Sequence, residues 1–136
     1  MMRFKFPGIN VQAPWARLLL GKEKQIETRT YPLPMKYVGK DLWLIETPGK
    51  GGAFKARVIG IIRFSGSKEY ESERAFYDDV DLHLIYPDNT DYAWQSHLRK
   101  FAWIVDKVKP FDEFPAPLPR GIVYAGPFES PLGRQI

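Results

Sequence analysis

Residues 14–31, PWARLLLGKEKQIETRTY, decide the fold because they join a predicted short helix to a predicted strand. Pro14 suits the first turn of a helix, where its missing N–H has no intrahelical partner to lose. Trp15, Leu18 and Leu19 follow at the i, i+3, i+4 spacing of one buried helix face. The stretch therefore predicts an amphipathic helix that packs on a core.

The second half of this stretch changes to the alternation of a β-strand. Over residues 25–30 this alternation places Glu27 and Arg29 on one face, and Lys24 stands at the bend before the strand. Lys24, Glu27 and Arg29, spaced K-x-x-E-x-R, form what we call the charged trio, and we predict that it is a functional site. The alternative is a structural Glu27–Arg29 ion pair, which would leave Lys24 without a positioned partner.

Length and composition indicate one domain over residues 1–136, with 44% hydrophobic and 15% aromatic residues available for a core. The chain has no cysteine, which excludes a disulfide, a thiolate metal site and a cysteine nucleophile. No apolar run approaches the ~20 residues of a membrane span. The first ten residues lack the apolar middle of a signal peptide. We expect a cytoplasmic monomer without membrane contact.

Charge is distributed unevenly along the chain. Residues 1–68 hold 13 Lys and Arg against 4 Asp and Glu, whereas residues 69–136 hold 7 against 12. The basic half contains the charged trio. A surface of this kind attracts phosphate, which is the main sequence-independent source of nucleic-acid affinity. The alternative is a solvated basic face without a ligand.

Strand-like segments dominate the rest of the chain. Residues 41–47, DLWLIET, are apolar on both faces and predict a central strand, and Gly60 predicts a bulge in the strand at 56–65. Strands without a regular alternation with helices favour an α+β class, a small mixed barrel of five to seven strands with two or three flanking helices. The other predictions are strands at 9–12, 81–86, 101–108 and 121–124, a helix at 69–79, an extended loop at 110–119, and either a helical turn or a loop at 92–97.

The trio and its helix resemble a known family. A Pro-Trp-Ala opening a helix, followed by K-x-x-E-x-R, resembles the signature of the ASCH domain family, whose members have a PUA-like β-barrel. The resemblance is densest over residues 9–65 and weaker over residues 101–126. One departure concerns Gly21, which stands three residues before Lys24 where the family has G-x-K.

The resemblance and the residues together favour a binding module for RNA or a modified nucleoside. Arg29 offers a planar fork to phosphate or a carbonyl oxygen, Lys24 a point charge, and Glu27 an acceptor for an exocyclic amine. We expect a base to stack on an aromatic side chain at the surface or at the start of the helix. We also expect two cations beside loops to contact the ligand at the rim of the cleft. The stacking candidates are Tyr31 and Trp15, and the rim candidates are Lys50 and Arg120.

An enzyme on the same site is the rival hypothesis, with Lys24 as the reactive group and Glu27 and Arg29 beside it. A lysine near a second cation in a dry cleft has a lowered pKa and can act as base or nucleophile. The resemblance implies two reactions: removal of the acyl group from N4-acylated cytidine, and metal-assisted cleavage of RNA. In the amidohydrolases a threonine stands where this chain has Glu27, which counts against that mechanism.

We assign no metal ligand and no cofactor, apart from a divalent cation if the chain is a nuclease. Asp79, Asp81 and His83 would share one face of the predicted strand at 81–86 and are the weak metal candidates. His97, beside two cations, is a better phosphate contact than a metal ligand. A third hypothesis is a protein-interaction module, which would need an exposed apolar patch. Only the segment with Phe111 and Phe114 suggests such a patch.

Overall fold

One mixed six-stranded sheet forms the body of the computed structural model, which describes residues 3–49, 52, 54–117 and 124–131. The strand order is β2-β5-β4-β3-β1-β6. A 3₁₀ turn, Met35–Tyr37, precedes β3. The strands are β1 (Lys5–Gln12), β2 (Ile26–Arg29), β3 (Leu42–Thr47), β4 (Arg57–Glu69), β5 (Phe101–Pro115) and β6 (Tyr124–Glu129), and the helices are α1 (Trp15–Leu20), α2 (Glu73–Asp78) and α3 (Val80–His83).

The predicted α+β class, with six strands and three short helices, is confirmed. The predicted barrel is not closed in the described residues, because β2 and β6 lie at opposite edges of the sheet and do not pair with each other. Strands β1 and β3 are parallel, with Gln12 opposite Thr47, and the other pairs are antiparallel. The carboxyl ends of β1 and β3 therefore meet at one edge of the sheet. No helix within the described ranges is long and apolar enough to cross a membrane.

Strand β3 is central, as its two apolar faces predict, and it separates two cores. Leu42 and Leu44 pack with α1 in one core, whereas Trp43 and Ile45 pack in the other. Trp43 is fully buried among aromatic rings, including that of Phe111 at 5.0 Å. Phe111 and Phe114 belong to this second core and are buried, so they do not form the exposed apolar patch of an interaction module.

Two segment predictions are wrong. Residues 81–86 are not a strand, because α3 (Val80–His83) occupies their first half and Leu84, at φ 62°, ends the helix. The loop predicted at 110–119 begins inside β5, which continues to Pro115, and residues 118 and 119 lie outside the described residues. Pro110 is tolerated there because it lies opposite Gly60, where the β4 ladder shifts register and a missing N–H costs least.

The bulge predicted at Gly60 is confirmed by register shifts toward both β3 and β5. Residues 92–97 carry neither helix nor strand. Of the strand predicted at 121–124, only Tyr124 lies within the described residues, where it begins β6.

Gly60→Ala is expected to destabilise the protein by about 1–3 kcal/mol, the usual cost of overpacking. A Cβ on Gly60 would lie 2.5 Å from the carbonyl oxygen of Lys109 and 2.7 Å from Leu20 Cδ1, and the backbone contact cannot be relieved by a side-chain rotation. Gly66→Ala, on the same strand, is the control, since a Cβ there meets nothing within 4 Å. Urea unfolding of both variants measures the difference, and equal stabilities would contradict the close approach.

Candidate functional site

The turn that follows α1 places Lys24 just before strand β2 of the sheet. The Lys22 backbone, at φ 69°, turns the chain after the helix, and the Lys24 N–H donates to the Leu18 carbonyl at 3.0 Å. The next N–H, of Gln25, donates to the Leu82 carbonyl at the end of α3. These backbone bonds hold the bend between α1 and β2 against α3, so that the Lys24 side chain starts from a fixed position.

The Lys24 side chain is buried, with 1% of its surface exposed. Its Nζ donates to the His83 carbonyl, lies 3.8 Å from Glu27 Oε1, and lies 5.0 Å from the centre of the Trp15 ring. Burial is the main reason that the Lys24 pKa falls from 10.5 to about 8; Arg29 and Lys100 lower it further, and Glu27 opposes the fall. Lys24 therefore has positioned partners and a weakened preference for its charged form.

Glu27 and Arg29 share one face of β2, as the alternation predicts. Arg29 binds Glu27 Oε2 through Nε at 3.0 Å and Nη2 at 2.8 Å. Arg29 also donates to the Asn10 carbonyl at 3.1 Å and to the Tyr31 hydroxyl at 3.3 Å. The ion pair of the alternative hypothesis is thus present, but Glu27 also faces Lys24, so one carboxylate stands between two cations.

His83 is a structural residue of the neighbouring helix. Its Nδ1 accepts the Ile85 N–H at 2.9 Å, and its Nε2 lies 2.7 Å from the Phe76 carbonyl. This pairing fits a neutral imidazole ring with its proton on Nε2. Burial also favours the neutral ring, because it lowers the His83 pKa. Both ring nitrogens are used, and the carbonyl of the same residue is left to hold Lys24.

The metal hypothesis for Asp79, Asp81 and His83 is wrong in this structure. The segment is helical, so the three side chains do not share a strand face. Asp79 accepts the Tyr70 hydroxyl at 2.8 Å, and Asp81 is exposed. Within the ranges that the structure describes, no group of three or more His, Asp or Glu side chains could hold a metal ion.

A cavity of about 410 Å³, which we call the trio cavity, opens beside the charged trio. Its walls are the carboxyl ends of β1 and β3, part of β2, the Trp15 ring and a tyrosine from the segment after α3. The charged groups of the wall are two cations and one carboxylate. The lining residues are Asn10, Val11, Gln12, Trp15, Lys24, Glu27, Thr28, Arg29, Thr47, Ile85 and Tyr92.

Tyr92 lines the trio cavity although no sequence pattern predicted it there. Its hydroxyl donates to Gln12 Oε1 at 2.9 Å, and its ring meets the Trp15 ring edge-on at 6.0 Å. Lys100 is buried and donates to the Tyr92 carbonyl at 2.9 Å, which ties the segment to the start of β5. No local pattern marks Tyr92, because it reaches the trio only through the tertiary fold.

The other predicted ligand contacts lie either outside the lining of the trio cavity or outside the described residues. Tyr31 packs edge-on against Trp103 at 5.6 Å and is not among the residues that line the trio cavity. His97 is exposed and also lies outside that lining. Lys50 and Arg120 fall outside the described residues. The structure therefore brings the trio and Trp15 together and leaves the outer contacts as predictions.

Comparison with known proteins gives a result only at the level of structure. No protein-family model matches this sequence, and no curated protein matches it. The crystal structure of ASCH from Zymomonas mobilis matches with a TM-score of 0.62, at 14% identity, over 80% of this chain and 72% of that chain. The chain has the ASCH fold. The predicted ASCH architecture is thereby confirmed as a fold.

Two variants of the Zymomonas mobilis ASCH protein give the same result. A tyrosine-to-phenylalanine mutant matches with a TM-score of 0.62, at 12% identity, over 80% of this chain and 74% of that chain. A serine-to-alanine mutant matches with a TM-score of 0.58, at 14% identity, over 80% and 72%. At such low identity the likeness defines the ASCH fold, and the chemistry has to be argued from the residues of the trio cavity.

Proposed function

We propose that this ASCH-fold chain binds RNA or a modified nucleoside by holding one base in the trio cavity. The observation that carries the proposal is the combination of a charged trio with two aromatic rings, Trp15 and Tyr92, around about 410 Å³. Small-molecule sites occupy about 300–1,000 Å³ and combine apolar walls with a few placed polar groups. A single base with its ribose is a ligand of that kind.

The polar groups of the cavity match the edge of a base. Arg29 occupies Oε2 of Glu27, whereas Oε1 faces Lys24 at 3.8 Å, beyond hydrogen-bond distance. Oε1 is therefore placed to accept an exocyclic amine, and the Lys24 ammonium to donate to a neighbouring carbonyl oxygen. The burial of Lys24 favours this role over contact with a solvated phosphate.

Tyr92→Ala tests the aromatic wall. We expect affinity for single-stranded RNA to fall about 5- to 150-fold, since stacking on an aromatic side chain contributes about 1–3 kcal/mol per base. Tyr86→Ala is the matched control, because Tyr86 is exposed in the same segment and does not line the cavity. Calorimetric titration of both variants measures the effect. Equal losses, or none, would count against a base in the trio cavity.

A hydrolase on the same cavity is the second candidate, and the Lys24 pKa of about 8 favours it. At pH 7 about one lysine in ten would be neutral and able to accept a proton from water or a hydroxyl. The substrate would be an N4-acylated cytidine or an RNA phosphodiester. A divalent ion in the second reaction would rely on fewer than three described side chains and on substrate phosphates.

Mass spectrometry of an RNA pool and N4-acetylcytidine, with and without Mg²⁺, separates the binder from the enzyme. An enzyme would form product at a rate that rises with pH through about 8, and Lys24→Met would abolish it. A metal requirement would indicate the nuclease, and its absence the amidohydrolase. RNA retention without product in either form would support the binding module and exclude a catalytic role for Lys24.

A further inference from the structure

A second cavity, of about 420 Å³, lies directly beside the trio cavity. Gln12, Trp15 and Tyr92 line both, so the two spaces are neighbours across one shared wall. The second cavity is otherwise bounded by the start of α1, the turn after β3 and the segment that precedes Tyr92. The residues that line only the second cavity are Ala13, Pro14, Pro48, Gly49, Asn89 and Asp91.

The shared wall is held by specific contacts. The Tyr92 hydroxyl bonds to Gln12 at 2.9 Å, and the Tyr92 ring meets Trp15 edge-on. The Asn89 side chain accepts the Asp91 and Tyr92 backbone N–H groups at 3.0 and 2.8 Å. Asn89 thus sets the backbone that carries Tyr92 and, at the same time, forms part of the second cavity.

The chemistry of the second cavity differs from that of the first. Its described lining includes one carboxylate, Asp91, and no lysine or arginine. Within the described lining, a phosphate would meet no cation and would face Asp91. The amide, ring and proline surfaces suit an uncharged planar or hydroxylated group, and the carboxylate suits an amine or hydroxyl donor. A base or a ribose has these properties.

We infer that the second cavity is a subsite for the nucleoside adjacent to the one held in the trio cavity. This inference rests on the proposed function and narrows it: the ligand is an oligonucleotide chain that places two consecutive nucleosides on either side of the Tyr92–Gln12 wall. The linking phosphate then lies outside both cavities, near solvent, where it is screened and needs no cation from the described lining of the second cavity.

The test compares cytidine with a cytidine-containing dinucleoside monophosphate by calorimetric titration at one salt concentration. We expect the dinucleotide to bind the natural chain at least about tenfold more tightly, from the second base. Asp91→Leu places an apolar side chain in the second cavity only, and should reduce that ratio toward one while cytidine affinity changes less than about twofold.

Asp88→Leu is the matched control, since Asp88 is exposed in the same segment, loses the same charge and lines neither cavity. It should keep the tenfold ratio. Cytidine binding without any gain for the dinucleotide, or equal ratios in the two variants, would overturn the second subsite alone. Failure of both ligands to bind the natural chain would overturn the proposed function itself, and with it this inference.

Discussion

Glu27→Gln is expected to lower the free energy of unfolding by about 3–5 kcal/mol at pH 7, the usual cost of removing one partner from a buried ion pair. Glu27 is 7% exposed and is the single carboxylate between Lys24 and Arg29. Its neutralisation leaves the partly buried Arg29 without its carboxylate partner and removes the group that favours the charged form of Lys24. Urea unfolding of the variant measures the loss.

Glu23→Gln is the control for this prediction, since Glu23 is an exposed acid on the same turn. It removes the same formal charge from a solvated position, where the effect should stay within about 0.5 kcal/mol. A Glu27→Gln variant as stable as Glu23→Gln would show that the trio is not held by its central carboxylate.

The second large effect is a pH dependence of stability that comes from Lys24. Because burial lowers its pKa from 10.5 to about 8, the unfolded chain holds a proton between these values that the folded chain has lost. The free energy of unfolding then rises with pH from about 8 to 10.5. Across this pH range the free energy of unfolding rises by about 3 kcal/mol. Below pH 8 the buried charged lysine lowers the free energy of unfolding by that amount.

Lys24→Met removes this contribution and should flatten the rise. At pH 7 the variant is expected to be at least as stable as the natural chain, because Glu27 and Arg29 remain as a neutral pair at 2.8 Å. The comparison is made by urea unfolding between pH 7 and 9.5, since the raised pKa of Tyr70 acts only above pH 10. Lys100, whose pKa is also lowered by burial, titrates in both proteins, so the Lys24 contribution is measured as the difference between the two pH slopes.

Lys40→Met serves as the exposed counterpart and should leave the pH profile unchanged. An identical slope in the Lys24→Met and natural proteins would assign the rise to other groups. A Lys24→Met variant that gains stability yet loses ligand or product would identify Lys24 as a residue kept for function at a cost in stability.

Local sequence patterns predicted the structure correctly where residues close together in the chain determine it. The alternation of residues 25–30 predicted that Glu27 and Arg29 meet, because side chains two apart on a strand share a face. The two apolar faces of residues 41–47 predicted a central strand, since only a strand covered on both sides buries both. Gly60 predicted the bulge because a residue without Cβ permits the close approach of β5.

Local patterns failed where a distant partner decides the outcome. Residues 81–86 carry apolar residues that fit a strand, yet the structure has α3 there, and its Leu82 and His83 carbonyls accept hydrogen bonds from Gln25 and Lys24. The charge excess of residues 1–68 is likewise offset across the fold, where Arg17 pairs with Glu113 and Arg63 with Asp106. A count along the chain does not reveal such pairing.

By itself, the sequence determined the α+β class, the turn from α1 into β2 and the shared face of Glu27 and Arg29, since these depend on patterns among residues close together in the chain. Only the tertiary structure decided that Lys24 is buried, that its pKa falls, and that Tyr92 and Gln12 close a cavity beside it. The physical reason is that desolvation and cavity shape arise from elements far apart in the chain, brought together by the parallel pairing of β1 with β3 and by the packing of α3 on β2.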